Sequence, residues 1–235
     1  MNILIIGASG GIGSAFVQTL AARGAVQRVV ATYRSTQPAW EDAKVDWVSL
    51  DVTDESDVAR LAQDMGEIDW LINAAGLLHD GAHGPEKRVA QVDPEFVMQN
   101  FRVNTLPTLL LAKHMTPLMR HDRPALFATV SARLGSIGEN ALGGWYSYRA
   151  SKAALNMVIR NLSIELRRTH PQLVLASLHP GTTDTALSKP FQRNVPADAL
   201  FTPAYSANCM LRVLDGLRPE DSGGFWSFDG EALPW

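Results

Sequence analysis

The chain is poor in cysteine and in long apolar runs. Its 235 residues include one cysteine, Cys209, which excludes an internal disulfide and is typical of proteins in a reducing compartment. No apolar run approaches the roughly 20 residues that a membrane-spanning helix needs. Residues 1–6 carry no basic leader and are soon followed by glycines, unlike a secretion signal. We therefore expect a cytoplasmic protein without a membrane segment.

A charge excess and internal repeats are also missing. The chain has 21 Lys and Arg against 24 Asp and Glu, a formal net charge of -3, so no nucleic-acid partner is expected. No repeat or linker divides it, and its length fits one domain over residues 1–235. His79 and His83 are four apart, but the glycines around them argue against a shared helix face, so we expect no metal site.

Short apolar segments alternate with helical ones along the chain. They predict strands at residues 3–6, 28–33, 45–50, 68–72, 125–130, 173–178 and 223–228. Gly24 is expected to end the first helix, and a long helix from Asp93 to about Met119 is expected to kink near Pro107. Residues 187–200 are expected to form a mobile loop. This order predicts an α/β fold: a single Rossmann-type, doubly wound parallel sheet of about seven strands with helices on both faces.

A glycine-rich turn follows the first predicted strand and leads into a helix. Glycines let the backbone approach a pyrophosphate, and a helix N-terminus offers N–H donors and a positive dipole end. The spacing is G-x-x-x-G-x-G, and the alternative is a turn without a ligand. It predicts a dinucleotide site that includes Gly7, Ser9, Gly11, Ile12 and Gly13.

The end of the second strand indicates which dinucleotide binds. An acidic residue there selects NAD, whereas arginine suits the 2′-phosphate of NADP. This chain has Thr32-Tyr33-Arg34-Ser35, with no acid. NADP is therefore favoured over NAD, although Arg34 could also be an ordinary solvated loop charge.

Further cofactor contacts are expected at the ends of the following strands. Asp51 lies where a carboxylate could meet an adenine amino group, or could cap the next helix, for which Thr53 and Asp54 also compete. The run after the fourth strand is small and permits close approach, or forms a plain turn. A polar run after the sixth strand suits a carboxamide or a phosphate. The residues assigned to the cofactor here are Asp51, Val52, Asn73, Ala74, Ala75, Gly76, Pro180, Gly181 and Thr183.

Tyr148 and Lys152 lie on one helix that is predicted to run from the Gly143-Gly144 pair to about Arg168. Residues four apart share a helix face. A fixed cation favours phenolate, so we expect Lys152 to lower the pKa of Tyr148 from its usual value of about 10. Such a pair suits proton transfer at an oxygen, although a surface helix can carry the same spacing without function.

Together these residues resemble a classical short-chain dehydrogenase/reductase. The glycine pattern, the turn at residues 73–76 and the Tyr148–Lys152 pair carry the resemblance, which covers essentially all 235 residues. Residues 134–137, 143–152 and 228–235 are similar to the subgroup of sniffer carbonyl reductases and bacterial C-factor proteins.

The resemblance implies a role for each residue. Tyr148 would give a proton to a carbonyl oxygen, and Lys152 would lower its pKa and bind the nicotinamide ribose. Asn104 would hold a water that relays protons to Lys152. Tyr148 and Lys152 would therefore also contact the cofactor. Hydride would pass directly from the nicotinamide to the carbonyl carbon, so no metal is implied.

One position departs from the family pattern. Such enzymes usually present two serines at the end of the fifth strand, and the second orients the substrate oxygen. Here Ser131 is followed by Ala132. Ser131 is favoured as the substitute, with Ser136 as the alternative. If neither reaches the substrate, Tyr148 alone polarises the carbonyl and turnover is slow.

The sequence therefore predicts an NADP-dependent oxidoreductase that interconverts an alcohol and an aldehyde, ketone or quinone. Its catalytic residues would be Asn104, Ser131, Tyr148 and Lys152. The alternative is a non-catalytic dinucleotide-binding protein with a signalling or redox-sensing role, which the Ser-Ala irregularity favours; the glycine spacing disfavours a sugar-nucleotide epimerase. The family implies a homodimer or homotetramer. An apolar substrate pocket is indicated by Leu142, Trp145, Phe191 and Phe201, although core packing explains these residues as well.

Overall fold

Strands and helices alternate through residues 1–235, all of which the computed structural model describes. The strands are β1 (Asn2–Ile6), β2 (Arg28–Tyr33), β3 (Val45–Ser49), β4 (Trp70–Asn73), β5 (Ala125–Val130), β6 (Leu173–His179), β7 (Thr182–Thr183), β8 (Leu200–Phe201) and β9 (Gly224–Ser227). The α-helices are α1 (Gly11–Ala21), α2 (Glu55–Asp64), α3 (Pro94–Asn104), α4 (Leu106–Met115), α5 (Tyr146–Leu166) and α6 (Pro203–Gly216). No helix combines the length and the hydropathy that crossing a membrane requires.

Seven strands form one parallel sheet in the order β3-β2-β1-β4-β5-β6-β9. Helices α1 and α6 cover one face, and α2, α4 and α5 cover the other. This arrangement confirms the predicted fold class. The direction of winding reverses between β1 and β4, and ligands of such sheets bind beyond the strand ends at that point.

Side-chain alternation within β1 explains why both faces need helices. Ile3 and Ile5 pack with Phe16 in one apolar core, whereas Leu4 and Ile6 pack with α2 and α4 in the other. Each of these five side chains is at most 1% exposed. A strand covered on both faces has an unbroken apolar sequence, as β1 does.

The ends of the helices agree with the sequence at one predicted position and differ from it at another. The division of the long predicted helix at Thr105, close to Pro107, confirms the expected kink. Gly24 was wrong as the end of the first helix, because α1 ends at Ala21 and Ala22 is its C-cap. Asp54 caps α2 rather than Asp51, since its carboxylate accepts from the Ser56 N–H at 2.8 Å.

A second, small sheet was not predicted. Strands β7 and β8 pair in parallel, with Thr182 opposite Leu200 and Thr183 opposite Phe201. Residues 184–199, which we call the flap, connect them and contain two 3₁₀ turns, Lys189–Asn194 and Ala197–Ala199. The pairing holds both ends of the flap at the edge of the main sheet where β6 ends.

Candidate active site

The glycine-rich turn between β1 and α1 packs tightly against the turn that follows β4. Gly7 has a φ of +70°, and a Cβ added there would lie 2.9 Å from the backbone nitrogen of Ala75. A Cβ added to Gly13 would overlap the carbonyl oxygen of Gly7. The backbone is therefore bare and closely packed where a pyrophosphate would approach.

The start of α1 presents free N–H donors beside this turn. The first helical hydrogen bond runs from Ser14 N–H to the Gly10 carbonyl at 2.8 Å, and the N–H groups of Gly11, Ile12 and Gly13 find no acceptor in the chain. No acidic residue lies in the first turn. Free donors and the positive dipole end suit an anion. The residues present thus fit a dinucleotide, with Ser9 exposed next to them.

Replacing Gly13 with alanine should disrupt this cradle. The added methyl would overlap the Gly7 carbonyl and lie 2.9 Å from the Ala8 Cα, and such overpacking costs about 1–3 kcal/mol. We expect NADPH to bind about 10-fold more weakly, measured by fluorescence titration. Gly24→Ala is the control, because a Cβ there meets nothing within 4 Å. Equal affinities in the two variants would contradict this view of the turn.

Arg34 and Asp51 lie together beside the ends of β2 and β3. Arg34 is exposed and has no ion-pair partner in the chain. Asp51 accepts from the Thr53 N–H at 2.9 Å and from the Thr53 hydroxyl at 2.8 Å. These bonds lower the pKa of Asp51, and the nearby Arg34 and Arg102 lower it further. Asp51 is thus ionised at neutral pH and its neighbour Val52 is buried.

The turn after β4 is held by its own first residue. The Asn73 side-chain oxygen accepts from the Ala75 N–H at 3.1 Å, and its amide donates to the Thr108 hydroxyl at 3.3 Å. The Ala74 N–H donates to the Ile6 carbonyl at 2.9 Å, which joins this turn to the end of β1. Gly76 follows and is exposed at the same edge of the sheet.

The polar run after β6 approaches the same edge. Gly181 has a φ of +73° and packs against the Phe201 ring. The Thr183 hydroxyl donates to the Pro180 carbonyl at 3.3 Å. In the flap, the Thr185 methyl would lie 2.7 Å from a Cβ added to Gly11. The start of the flap therefore lies against the start of α1.

Tyr148 and Lys152 project from the inner face of α5, as their spacing predicts. They are 8% and 2% exposed. The Lys152 ammonium donates to the Val130 carbonyl at 2.9 Å and lies 5.8 Å from the centre of the Tyr148 ring. A Cβ added to Gly76 would lie 3.7 Å from Lys152 Nζ and 3.5 Å from the Asn104 side-chain oxygen. The turn after β4, α3 and α5 thus converge at one point.

Burial governs the protonation of this pair. It raises the pKa of the Tyr148 phenol above its ordinary value and lowers the pKa of Lys152 to about 8. The sequence led us to expect a lowered pKa for Tyr148, and the structure reverses that direction. The reason is that the ammonium bonds the Val130 carbonyl rather than the phenol, while the phenol is withdrawn from water. Tyr148 therefore keeps its proton at neutral pH.

Asn104 joins two segments of the site. Its amide donates to the Leu77 carbonyl at 2.9 Å and to the Ser151 hydroxyl at 3.0 Å, and its oxygen accepts from the Leu77 N–H at 2.7 Å. These bonds fix the turn after β4 against α5, near Lys152. The expected water-holding role of Asn104 stays a prediction.

The serines expected to orient the substrate have other partners. The Ser131 hydroxyl donates to the Asn156 side-chain oxygen at 2.7 Å. The Ser136 hydroxyl accepts from the Glu139 N–H at 3.2 Å. Ala132 is buried and packs directly with Tyr148. The hydroxyl usual in the family is therefore replaced by a methyl group at the phenol.

Apolar side chains enclose Tyr148. Leu78 and Ala132 pack with it, and Trp145, Leu187 and Phe191 pack around them. The ring centres of Trp145 and Phe191 are 5.2 Å apart, which brings the flap over the site. The sequence did not indicate Leu78 or Leu187, although each is an apolar residue in an otherwise polar loop.

Two residues proposed for this pocket lie elsewhere. Leu142 is 91% exposed, and Phe201 packs against Tyr205 and Phe228. Trp145 and Phe191 are where the sequence placed them.

The match to known proteins covers most of the chain. Residues 1–196 match the family model for short chain dehydrogenases. The chain is 38% identical to the C-signal of Myxococcus xanthus over 171 residues, which are 72% of this chain and 94% of that protein. It is 31% identical to 1-hydroxy-2-glutathionyl-2-methyl-3-butene dehydrogenase of Rhodococcus sp. (strain AD45) over 239 residues, 100% of this chain and 99% of that protein.

Solved structures agree with this match. The carbonyl reductase Sniffer of D. melanogaster superposes with a TM-score of 0.87 at 25% identity and covers 100% of this chain and 99% of its own. The NADPH-bound carbonyl reductase from chicken fatty liver gives 0.85 at 27% identity and covers 100% and 98%. The fold, the cradle at Gly7–Gly13 and these matches establish that the chain belongs to the short-chain dehydrogenase/reductase family of NAD(P)-dependent oxidoreductases.

Proposed function

We propose that the chain reduces the carbonyl group of an aldehyde, ketone or quinone to an alcohol, or catalyses the reverse, with NADP(H) as the hydride carrier. The observation that carries this proposal is the convergence of Tyr148, Lys152 and Asn104 beside Gly76. That point lies one strand away from the glycine cradle at the end of β1. A dinucleotide on the cradle can therefore extend toward the phenol.

Each residue has a defined task in this reaction. The bound nicotinamide supplies or accepts the hydride. The Tyr148 hydroxyl, kept protonated by burial, donates its proton to the carbonyl oxygen during reduction. The Lys152 ammonium, held by the Val130 carbonyl, supplies positive charge near the site and binds the nicotinamide ribose. Leu78, Leu187 and Phe191 exclude water.

A direct assay tests the proposal. Purified protein is mixed with NADPH, or separately with NADH, and a panel of aldehydes, ketones and quinones, and cofactor oxidation is followed by absorbance. We expect turnover of at least one apolar carbonyl, because the walls around Tyr148 are apolar. Cofactor binding without turnover across the panel would contradict the proposal.

Arg34 supports the choice of NADP, as do structural neighbours that were crystallised with NADPH or NADP. We expect Arg34→Ala to raise the KM for NADPH about 10-fold and leave the KM for NADH unchanged, because a charge-assisted bond to the 2′-phosphate is worth roughly 1.5–3 kcal/mol. Arg120→Ala is the matched control, since Arg120 is also exposed and unpaired. Equal losses with both cofactors would show that Arg34 does not read the 2′-phosphate.

A second candidate function rests on Ala132. A methyl group beside the phenol removes one donor to the substrate oxygen, and the 38% identical relative bears the name C-signal. A protein that binds NADP(H) without turnover would act as a sensor or signal.

The expected homodimer or homotetramer and the expected cytoplasmic location stay predictions. Met157 and Ile164 are exposed on the outer face of α5 and suit the association of two copies.

A further inference from the structure

The chain reaches α5 through an unusual backbone. Gly143, Gly144 and Trp145 have φ angles of +65°, +65° and +52°, and Trp145 is the only non-glycine residue with a positive φ. A bulky residue adopts this conformation only where surrounding contacts hold it. Tyr148, the proposed proton donor, lies in the first turn of the helix that follows. Whatever holds residues 143–147 therefore also sets the position of the phenol.

Helix α5 lacks a cap of its own. Its N-cap residue, Trp145, makes no side-chain capping bond, and no acidic residue lies in its first turn. Exposed helices of this length usually begin at Ser, Thr, Asp or Asn, whose oxygen accepts from a first-turn N–H. The first-turn donors of α5 must therefore be satisfied from elsewhere in the chain.

Glu86 supplies that acceptor from a loop 61 positions away. One carboxylate oxygen accepts from the Ser147 N–H at 3.2 Å, and the other accepts from the Ser147 hydroxyl. The Glu86 backbone carbonyl accepts from the Trp145 N–H at 2.5 Å. A Cβ added to Gly144 would lie 3.2 Å from that same carbonyl. Glu86 thus bonds two of the three residues that precede Tyr148, Trp145 and Ser147.

Burial of the Glu86 carboxylate costs free energy unless nearby groups compensate its charge. Glu86 is 3% exposed, and no Lys, Arg or His pairs with it. A buried carboxylate is tolerated only where donors and positive potential compensate it. The Ser147 donors and the positive end of α5 provide both. The carboxylate therefore depends on the start of α5, and the start of α5 depends on the carboxylate.

Trp145, which donates to the Glu86 carbonyl, also packs against the apolar cluster around Tyr148. The Trp145 ring lies 6.3 Å from the Tyr148 ring and 5.2 Å from the Phe191 ring of the flap, centre to centre. A shift of Trp145 would move the phenol and the flap together. Glu86 itself contacts neither Tyr148 nor Lys152 through any hydrogen bond. Its influence must pass through Trp145 and Ser147.

We propose that Glu86 is a positioning residue: its carboxylate and carbonyl lock the first turn of α5 and so aim the Tyr148 phenol at the substrate. The inference rests on the proposed function, because it concerns the aim of a proton donor. Misplacement of a reacting group by about 1 Å can slow catalysis by about 100-fold. The position of Tyr148, rather than cofactor binding, should therefore suffer when Glu86 is changed.

Four single variants and one double variant, Glu86→Ala with Ser147→Ala, test this role. Glu86→Ala removes the carboxylate, and Glu86→Gln keeps an oxygen that accepts from the Ser147 N–H. Ser147→Ala removes the hydroxyl donor from the opposite side. Glu165→Ala is the control, because it removes an exposed, unbonded carboxylate from the same helix. Turnover, KM for NADPH, melting temperature and amide hydrogen exchange at residues 144–149 are measured for each.

We expect Glu86→Ala to lower kcat by about 10- to 100-fold with the KM for NADPH unchanged. Amide exchange at Ser147 should accelerate, and Glu86→Gln should recover most of the lost kcat. Ser147→Ala should produce a smaller loss, and its combination with Glu86→Ala should add little, since both act on one contact. The control should match the wild type.

Other results would overturn the inference. One is a wild-type kcat in Glu86→Ala. Another is a parallel loss of kcat, cofactor affinity and melting temperature that Glu86→Gln does not recover, because that pattern indicates only a structural role. If the wild type reduces no carbonyl, the proposed function fails separately. Amide exchange then decides the matter: unchanged protection of Ser147 in Glu86→Ala would refute the lock itself.

Discussion

Tyr148→Phe is expected to lower kcat by about 1,000-fold while NADPH binding and the melting temperature stay close to those of the wild type. The substitution removes only the phenol oxygen, and general acid catalysis contributes roughly 100- to 10,000-fold. The ring would still pack against Leu78 and Ala132. The phenol oxygen makes no hydrogen bond within the chain, since the one side chain that bonds Tyr148, Ser151, donates to its backbone carbonyl. Catalysis and folding should therefore separate cleanly in this variant.

The control for that experiment lies two residues earlier. Tyr146 belongs to the same helix but is 43% exposed and has no part in the buried cluster around Tyr148. Tyr146→Phe should turn over like the wild type. Steady-state kinetics and NADPH fluorescence titration provide both measurements. A Tyr148→Phe enzyme that retains a tenth or more of wild-type kcat, about 1.4 kcal/mol of barrier, would assign the proton donor to another group.

Ala132→Ser is expected to raise kcat about 10-fold, which is the opposite direction from most active-site substitutions. A preorganised donor at a developing oxyanion is worth roughly 100- to 1,000-fold. The gain should be smaller here because Tyr148 already donates and the new hydroxyl can rotate. The serine would also place a hydroxyl among apolar side chains at an 8% exposed position. We therefore expect a loss of stability of about 1–3 kcal/mol alongside the gain in rate.

Ser131→Ala is the companion variant that decides between the two positions. Its hydroxyl bonds Asn156, so we expect a stability loss of about 1 kcal/mol with little change in kcat. Kinetics and thermal unfolding of both variants are compared. If Ser131→Ala loses most of its activity and Ala132→Ser gains none, Ser131 orients the substrate as the sequence first indicated, through a rearranged hydrogen bond.

The main strands, the glycine-rich turn and the shared helix face of the site could be predicted from the sequence, because each depends on residues close together in the chain. The unbroken run in β1 predicts a strand covered on both faces, and the spacing of Gly7, Gly11 and Gly13 predicts a tight turn between a strand and a helix. The i,i+4 spacing of Tyr148 and Lys152 brings them to one helix face. Each inference needed only the residues of one element and its geometry.

Contacts between distant segments could not be predicted in this way. Glu86 and Ser147 are 61 positions apart, and nothing near either residue indicates the other. The pKa of Tyr148 is raised because the phenol is buried and because the Lys152 ammonium donates to the Val130 carbonyl rather than to the phenol. Both depend on contacts between separate elements. Strands β7 and β8 comprise two residues each, which is too short for any periodicity to show.

Strands β7 and β8 fix where the flap begins and ends. Pairing of Thr182 with Leu200 and of Thr183 with Phe201 holds the flap at both ends, and the Ser188 hydroxyl of the flap donates to the Thr183 carbonyl at 2.5 Å. Lengthening a loop with fixed ends costs only about 0.6 kcal/mol per doubling. We therefore expect the flap to tolerate changes in its length. We expect flap segments of other lengths and compositions to alter which molecules reach Tyr148, while Tyr148 and Lys152 themselves stay in place on α5.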